Sequence, residues 1–439
     1  MTLQTPVPDD FFHPPPLSPD KIEELRAIGH RAKRDVLEYS KLTGGPVEWT
    51  LITSDAKTQV YTAREGNLPL FLGTTEIETT LDETRAIFTA PTTADARRVN
   101  AAYLPDVLDE VRLYTLSAPT EDRPHHFSFV SWILHRSPFQ GRIVRHRDLC
   151  AVQHLEDVEI DGKKAWLEAY KSVVLPACPD FEKKHGVIRA EFVHVGIIYM
   201  ETDKPGILRV YHLEHVDPHG QVSGDMIGNI LMYKMSEGQY IAMNAMQNNV
   251  YAHRLSHVSY LASASYVNKN SRSKCAVCLK KFGTFTRKSN CRRCGEVVCS
   301  KVCSAKFKVM MANILVELRV CSRCIPGPNE IDYETTLSTL NKSQHDGLSV
   351  SSQSSNPSFV KGSHPLEKLS RMTEPITLSS YSSDDMYTMA GMERNMILLD
   401  LDGPSFAMER DPRDHQTSTY SESSKGSSPR RRGDMVLLD

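Results

Sequence analysis

The sequence predicts an α+β chain with a small metal-built module appended to it. Three observations lead there. One helical pattern precedes a run of strand patterns in residues 20–262 and one long helical pattern follows it. Eight of the ten cysteines fall in four close pairs between Cys275 and Cys324. The last stretch, 327–439, is rich in Ser, Pro, Asp and Gly with sparse hydrophobic residues. Its 439 residues suffice for two or three domains, and 40% apolar and 24% charged residues with a net charge of −2 are ordinary globular chemistry without an overall bias toward nucleic acid.

In chain order, residues 1–19 are Pro-rich and acidic and lack an apolar h-region, so they are expected to be a disordered N-terminus rather than a signal peptide. A helix is expected over Pro19–Leu42: Ser18 is placed to cap it, Pro19 suits its first position, and Ile22, Leu25, Ile28, Ala32 and Val36 recur at helical spacing until Gly44-Gly45-Pro46. Val47–Thr53 and Gln59–Arg64 read as a hairpin turning near Ser54–Lys57. Short helices follow at Leu81–Phe88 and Ala94–Tyr103. Strands are then expected at Val111–Leu116, Phe127–His135, Asp148–Leu155, Ala165–Val174, Val187–Met200 and Gly206–Val216, mostly alternating apolar and polar as in an antiparallel sheet with one covered face. A long helix closes the region at Ser223–His257. A long helix gripping a curved sheet often leaves an apolar cavity between them, the default ligand site, and the alternative is a fully packed core, which periodicity does not distinguish. No apolar run approaches the roughly 20 residues that a spanning helix needs, so membrane contact would be peripheral.

Three short motifs in residues 20–262 carry a resemblance: Arg147-Asp148-Leu149-Cys150, Val187-Ile188-Arg189-Ala190-Glu191, and His215-Val216-Asp217-Pro218-His219-Gly220. In that order the segment resembles the START lipid-binding family. The resemblance implies a helix-grip fold with a hydrophobic tunnel holding one lipid.

The cysteine pairs are Cys275-x2-Cys278, Cys291-x2-Cys294, Cys299-x3-Cys303 and Cys321-x2-Cys324. In a chain without a secretory signal, such pairs read as ligands of metal in a reducing, cytoplasmic compartment, whereas Cys150 and Cys178 read as buried thiols. Eight thiolates make two closed Zn²⁺ sites with no position for a reacting water, so the metal is structural. Between Tyr266 and Pro326 stand fourteen Lys and Arg against Glu296 and Glu317, a charge of +12 that eight thiolates and two Zn²⁺ reduce to +8. Such a face attracts anionic membrane, at about 1 kcal/mol per basic residue near the surface. Few aromatics are present for base stacking, which argues against nucleic acid.

Residues 266–326 resemble a FYVE zinc finger, through Phe282–Gly295 and through Leu318-Arg319-Val320-Cys321. The resemblance implies a cross-brace: Cys275, Cys278, Cys299 and Cys303 on one zinc, and Cys291, Cys294, Cys321 and Cys324 on the other. It implies phosphatidylinositol 3-phosphate binding on endosomes, with phosphate contacts from Arg287, Lys288, Arg292 and Arg319, and a bilayer-inserting loop at Thr284 and Phe285. The sequence departs from the family at three places. Ser289 and Asn290 replace both histidines of the basic motif, Lys269 stands where the family has an acid, and the third cysteine pair has one extra residue. Lys269 is expected to broaden head-group recognition toward other anionic phosphoinositides.

The motifs of serine hydrolases, P-loop NTPases, zinc peptidases and dinucleotide enzymes do not occur, so the chain is read as no enzyme. His212 and His215, three apart on a strand, belong on opposite faces and should not share a metal. The function expected is a peripheral lipid-binding protein, a START-like domain holding a lipid and a finger tethering it to anionic membrane. The alternative is a protein-interaction adaptor without phosphoinositide selectivity. The tail, 327–439, is expected to be disordered, with Met396–Asp400 and Met435–Asp439 as apolar islands that a protein partner could bind.

Overall fold

The computed structural model describes residues 3–137, 144–220, 225–311 and 314–328, with side chains omitted for 225–234. The expected tail therefore lies, but for its first two residues, outside the described residues.

Helix α1 (Pro19–Tyr39) starts as expected, with Ser18 Oγ accepting from the Lys21 N–H at 3.2 Å, and buries Leu25, Ala32 and Val36 along one stripe. Strands β1 (Thr50–Ser54), β2 (Gln59–Glu65) and β3 (Leu68–Glu78) precede helices α2 (Leu81–Phe88) and α3 (Thr93–Tyr103). Then come β4 (Val107–Ser117), β5 (Phe127–His135), β6 (Arg147–Ile160), β7 (Lys163–Ser172), the single turn α4 (Glu182–His185), β8 (Ile188–Arg189), β9 (Glu191–Glu201), β10 (Ile207–Asp217) and the 32-residue α5 (Asp225–Ser256). They form one sheet in the order β1-β2-β3-β10-β9-β7-β6-β5-β4, antiparallel throughout except for β8, which pairs in parallel with β6.

The period of two sorts side chains between two covered faces. One face sends Leu72, Leu167, Ile198 and Leu213 against Ala32 and Val36 of α1. The other sends Trp166, Tyr199, Leu208 and Val210 against Met243, Met246 and Val250 of α5. Glycine permits both close approaches. A Cβ on Gly196 would lie 2.6 Å from Val36 Cγ2, and one on Gly73 would lie 2.6 Å from Met243 Cγ. This is the helix-grip arrangement. The three START-like motifs, far apart in sequence, converge in it. Asp148, fully buried, accepts from Arg189 Nη2 at 2.8 Å and from Trp132 Nε1 at 2.8 Å, and Arg147 donates to the carbonyls of Pro218 and His219.

Two expectations need correction. β3 was not anticipated: it lies between β2 and β10 and is buried on both faces, so it lacks alternation. Residues 3–18 are not a loose N-terminus, because Val7 and Phe12 are buried in the cluster around Trp132, and the Val7 N–H donates to Asp109 Oδ2 at 2.6 Å. Two adjacent aromatics, Phe11 and Phe12, supply anchors that a composition reading overlooks. Among the described residues, a small cavity of about 40 Å³ lies between α3 and the sheet, with Phe88, Leu104, Glu110, Arg112, Gln153 and Glu168 in its wall.

Beyond the sheet, α5 runs on into the cysteine-rich module. Ala252 and Leu255 join Val298, Phe307, Val309, Leu318 and Val320 in one core, and the Met310 N–H donates to Ser256 Oγ at 2.8 Å. Fully buried Arg254 pairs with fully buried Glu83 of α2 through two 2.8 Å bonds and also donates to Pro326 O at 3.1 Å. The two domains thus share a helix, and the arginine of a buried ion pair in the first also holds the finger's end.

Candidate metal centre and membrane face

The module is two hairpins, β11 (Lys288–Asn290) with β12 (Val297–Cys299) and β13 (Ser304–Met311) with β14 (Ile314–Cys321), bounded by cysteine turns. Leu279 and Gly295 each follow the second cysteine of a turn. Each has a positive φ, 59° and 74°, and each N–H closes on the carbonyl of the first cysteine. The turns bring the thiols together in interleaved order. The Sγ atoms of Cys275, Cys278, Cys299 and Cys303 all lie within 4.8 Å of one another, as do those of Cys291, Cys294, Cys321 and Cys324.

The donor sets fit zinc. Tetrahedral zinc with bonds of about 2.3 Å places sulfurs about 3.8 Å apart, and Cys278 Sγ and Cys299 Sγ are 3.8 Å apart. Backbone N–H groups also aim at the first sulfur of each set: those of Val277 and Cys299 at Cys275, and that of Cys321 at Cys291. Burial opposes ionisation of Cys275, yet these donors hold its thiol down at about 6, toward the thiolate a metal requires.

The structure distributes the expected head-group residues between two roles. Arg287 and Lys269 stand exposed, and Arg292 lies over the Tyr266 ring at 5.3 Å. Lys288 Nζ donates to the carbonyls of Lys269 and Arg272, at 3.1 and 2.8 Å, which pins 269–272 alongside β11. Arg319 donates to the carbonyls of Ser300 and Ser304 and so holds the loop after β12. Asn290, where the family has a histidine, donates to Val267 O at 2.8 Å and Gly295 O at 3.0 Å. It clamps the module's first segment to its second cysteine turn.

Thr284 and Phe285 lie in the exposed loop before β11, and Phe285 is 100% exposed. Sequence reasoning missed its neighbour. The Ser300 N–H donates to Arg287 O at 3.0 Å, so the loop 300–302 runs beside the loop 283–287, and its Val302 is 86% exposed. The signal was present in the sequence: Val302 belongs to the cysteine pair with the extra residue.

In the grip domain the cavity wall holds a charged network. Burial acts to raise the Glu110 carboxyl, but Arg112, Asn100 and Gln153 outweigh it, so Glu110 stays ionised. At Glu168 burial, with the nearby Glu110 charge, outweighs the Tyr170 hydrogen bond and Arg112 and pushes the carboxyl from the ordinary 4.5 up to about 7. A carboxyl that holds its proton more tightly when folded contributes fully below about pH 4.5, and that contribution is lost as pH rises through 7. The shift corresponds to on the order of 3 kcal/mol. Urea unfolding of the wild-type chain should therefore show stability falling from pH 5 to pH 8, with a flatter profile for Glu168→Gln. Parallel profiles for the two proteins would exclude Glu168 as the source.

Fold and site together define a class: a helix-grip α+β domain followed by a cross-braced finger with two four-cysteine sites. Residues 265–329 match the family model described as FYVE zinc finger, so the second module is a FYVE-type finger, and the first has the START-like arrangement. Protein FREE1 of Arabidopsis thaliana is 33% identical over 82 residues, 19% of this chain and 12% of its own length. A putative 1-phosphatidylinositol 3-phosphate 5-kinase of Drosophila melanogaster is 42% identical over 50 residues, 11% of this chain and 3% of its own. This chain therefore spans only a small part of these curated relatives. Among solved structures, human StAR-related lipid transfer protein 5 is similar with a TM-score of 0.40 and 16% identity, over 52% of this chain and 97% of that one. No helix among the described residues is long and apolar enough to cross a membrane.

Proposed function

We propose that the chain is a non-catalytic, peripheral membrane lipid-binding protein. Its finger, folded around two Zn²⁺ ions held by Cys275, Cys278, Cys299 and Cys303 and by Cys291, Cys294, Cys321 and Cys324, tethers it to anionic, phosphoinositide-bearing membrane facing the cytoplasm, such as that of endosomes. The observation that carries this reading is the pair of exposed apolar tips, Phe285 and Val302, on adjoining loops that also carry Arg287 and Lys301. Water is a poor environment for both tips. Full burial of Phe285 in a bilayer is worth about 1.5–3 kcal/mol, and each basic residue near an anionic surface adds about 1 kcal/mol. Arg287, Arg292 and Lys269 are the residues available to meet phosphate, whereas Lys288 and Arg319 support the fold around them. The grip domain's part in this reading is to hold a hydrophobic lipid ligand, which its helix-grip fold supports.

The test is co-sedimentation of the full chain with vesicles. Phe285→Ser with Val302→Ser should weaken partition at least tenfold, about 1.4 kcal/mol, without loss of zinc. If the double variant binds vesicles as well as the wild type, the tips are not membrane anchors, and the adaptor reading gains.

A further inference from the structure

We propose that Glu65, His194 and His215 form a third metal site, separate from the finger, which takes a divalent cation of the zinc type. Glu65 ends β2, and His194 and His215 are register partners on β9 and β10. They meet beneath the C-terminal end of α1, where the Tyr39 ring stacks on His194 at 4.1 Å.

The distances carry the inference. His194 Nε2 lies 3.4 Å from Glu65 Oε2, and His215 Nδ1 lies 3.4 Å from the same oxygen, with all three ligand atoms within 4.8 Å of one another. At 3.4 Å these contacts are long for hydrogen bonds. Yet about 3.4 Å is the edge of a tetrahedron whose metal–ligand bonds are about 2.1 Å, the length for zinc with imidazole or carboxylate. His215 supplies an independent observation. Its side chain is 2% exposed, and neither ring nitrogen has a hydrogen-bond partner. Buried polar atoms without partners are costly, and a cation would satisfy one of them.

The surroundings orient the ligands. His194 Nδ1 faces Asp35 Oδ2 at 3.1 Å, which turns Nε2 and its lone pair toward Glu65. This is the carboxylate–histidine pairing that supports metal ligands. Tyr39 donates to Glu65 Oε1 at 2.5 Å and leaves Oε2 to the cation. Burial lowers both histidines, His215 to about 4, so the rings are neutral at pH 7 as ligation requires. The nearby cation, Lys171, is held by Asp35 Oδ2 at 3.1 Å and Val193 O at 2.6 Å rather than by Glu65, and its charge adds to burial in lowering both histidines.

A second cluster, His30, His154 and Glu156, serves as contrast. There the Lys33 ammonium sits 2.6 Å from Glu156 Oε2, the oxygen a metal would need. Three protein ligands leave a fourth position open. With the Glu65 side chain 43% exposed, that position is within reach of water or an exchangeable ligand. A cation here would tie the β2 end to β9 and β10 beneath α1.

The experiment loads the full chain with zinc at its finger, titrates it with Co²⁺, and reads bound metal and absorption after dialysis. The expected result is a third equivalent of metal without sulfur-to-cobalt charge-transfer absorption. Glu65→Ala, at a partly exposed position, and His194→Ala should each reduce the count to two. Asp35→Asn should keep the third ion but weaken it about 10–100-fold. Two equivalents in the wild type would overturn the assignment. So would a third that survives both ligand substitutions at unchanged affinity, or one that shows sulfur absorption and so belongs to the finger cysteines.

Discussion

Removing the metal from the two cysteine tetrads should unfold the finger and release the end of α5 with it. Structural zinc in small fingers contributes about 10–16 kcal/mol of apparent binding energy near pH 7, and that energy is folding energy. The finger's core packs ligand cysteines against Val298, Phe307, Val309, Leu318 and Val320, but it also includes Ala252 and Leu255, so α5 loses a packing partner when the finger opens. Hydrogen exchange of the full chain after chelation should show protection lost across β11–β14 and the last turns of α5, while β5, β6 and β7 stay protected. A finger that keeps its protection once metal analysis shows no zinc would contradict a metal-built fold.

Glu83→Ala should destabilise the chain by about 3–5 kcal/mol, because it strips a fully buried arginine of its carboxylate. The change lies in α2, remote in sequence from the finger, yet the guanidinium it disturbs also bonds Pro326 O at the finger's end. Adding Arg254→Met should recover most of the loss, since an apolar replacement of both partners leaves no unpaired charge. Urea unfolding of the two variants beside the wild type checks this. Equal stability of wild type and Glu83→Ala would remove the ion pair from the account of how the domains are joined.

What could be read from the sequence follows from how local each signal is. β5 over Phe127–His135 and α2 over Leu81–Phe88 were legible to the residue, because turn residues bound the one and a helical apolar pattern marks the other. β3 was not, since a strand covered on both faces has no period of two to detect. Cysteine spacing announced the metal, but spacing alone does not say which pairs share an ion. The cross-brace came from family resemblance, and the turns after Cys278 and Cys294 show how the chain achieves it. Arg287 and Arg319 look alike in sequence. Only the carbonyls of Ser300 and Ser304 around Arg319 tell a supporting residue from an exposed one. Glu65, His194 and His215 left no sequence signal, because three strands bring them together.

In the proposed role the finger's surface, more than its metal, meets the membrane. The tetrads set a frame, Lys288, Asn290 and Arg319 brace it, and Phe285, Val302, Arg287 and Lys269 are exposed, with Arg292 half-buried over the Tyr266 ring. Vesicle co-sedimentation of the full chain across a phosphoinositide panel tests this most directly. The account predicts binding to vesicles carrying phosphatidylinositol 3-phosphate and also to vesicles carrying other anionic phosphoinositides, weak binding to neutral vesicles, and a loss of at least tenfold in the Phe285→Ser, Val302→Ser variant. No partition onto any anionic vesicle, or partition indifferent to both tips, would contradict it.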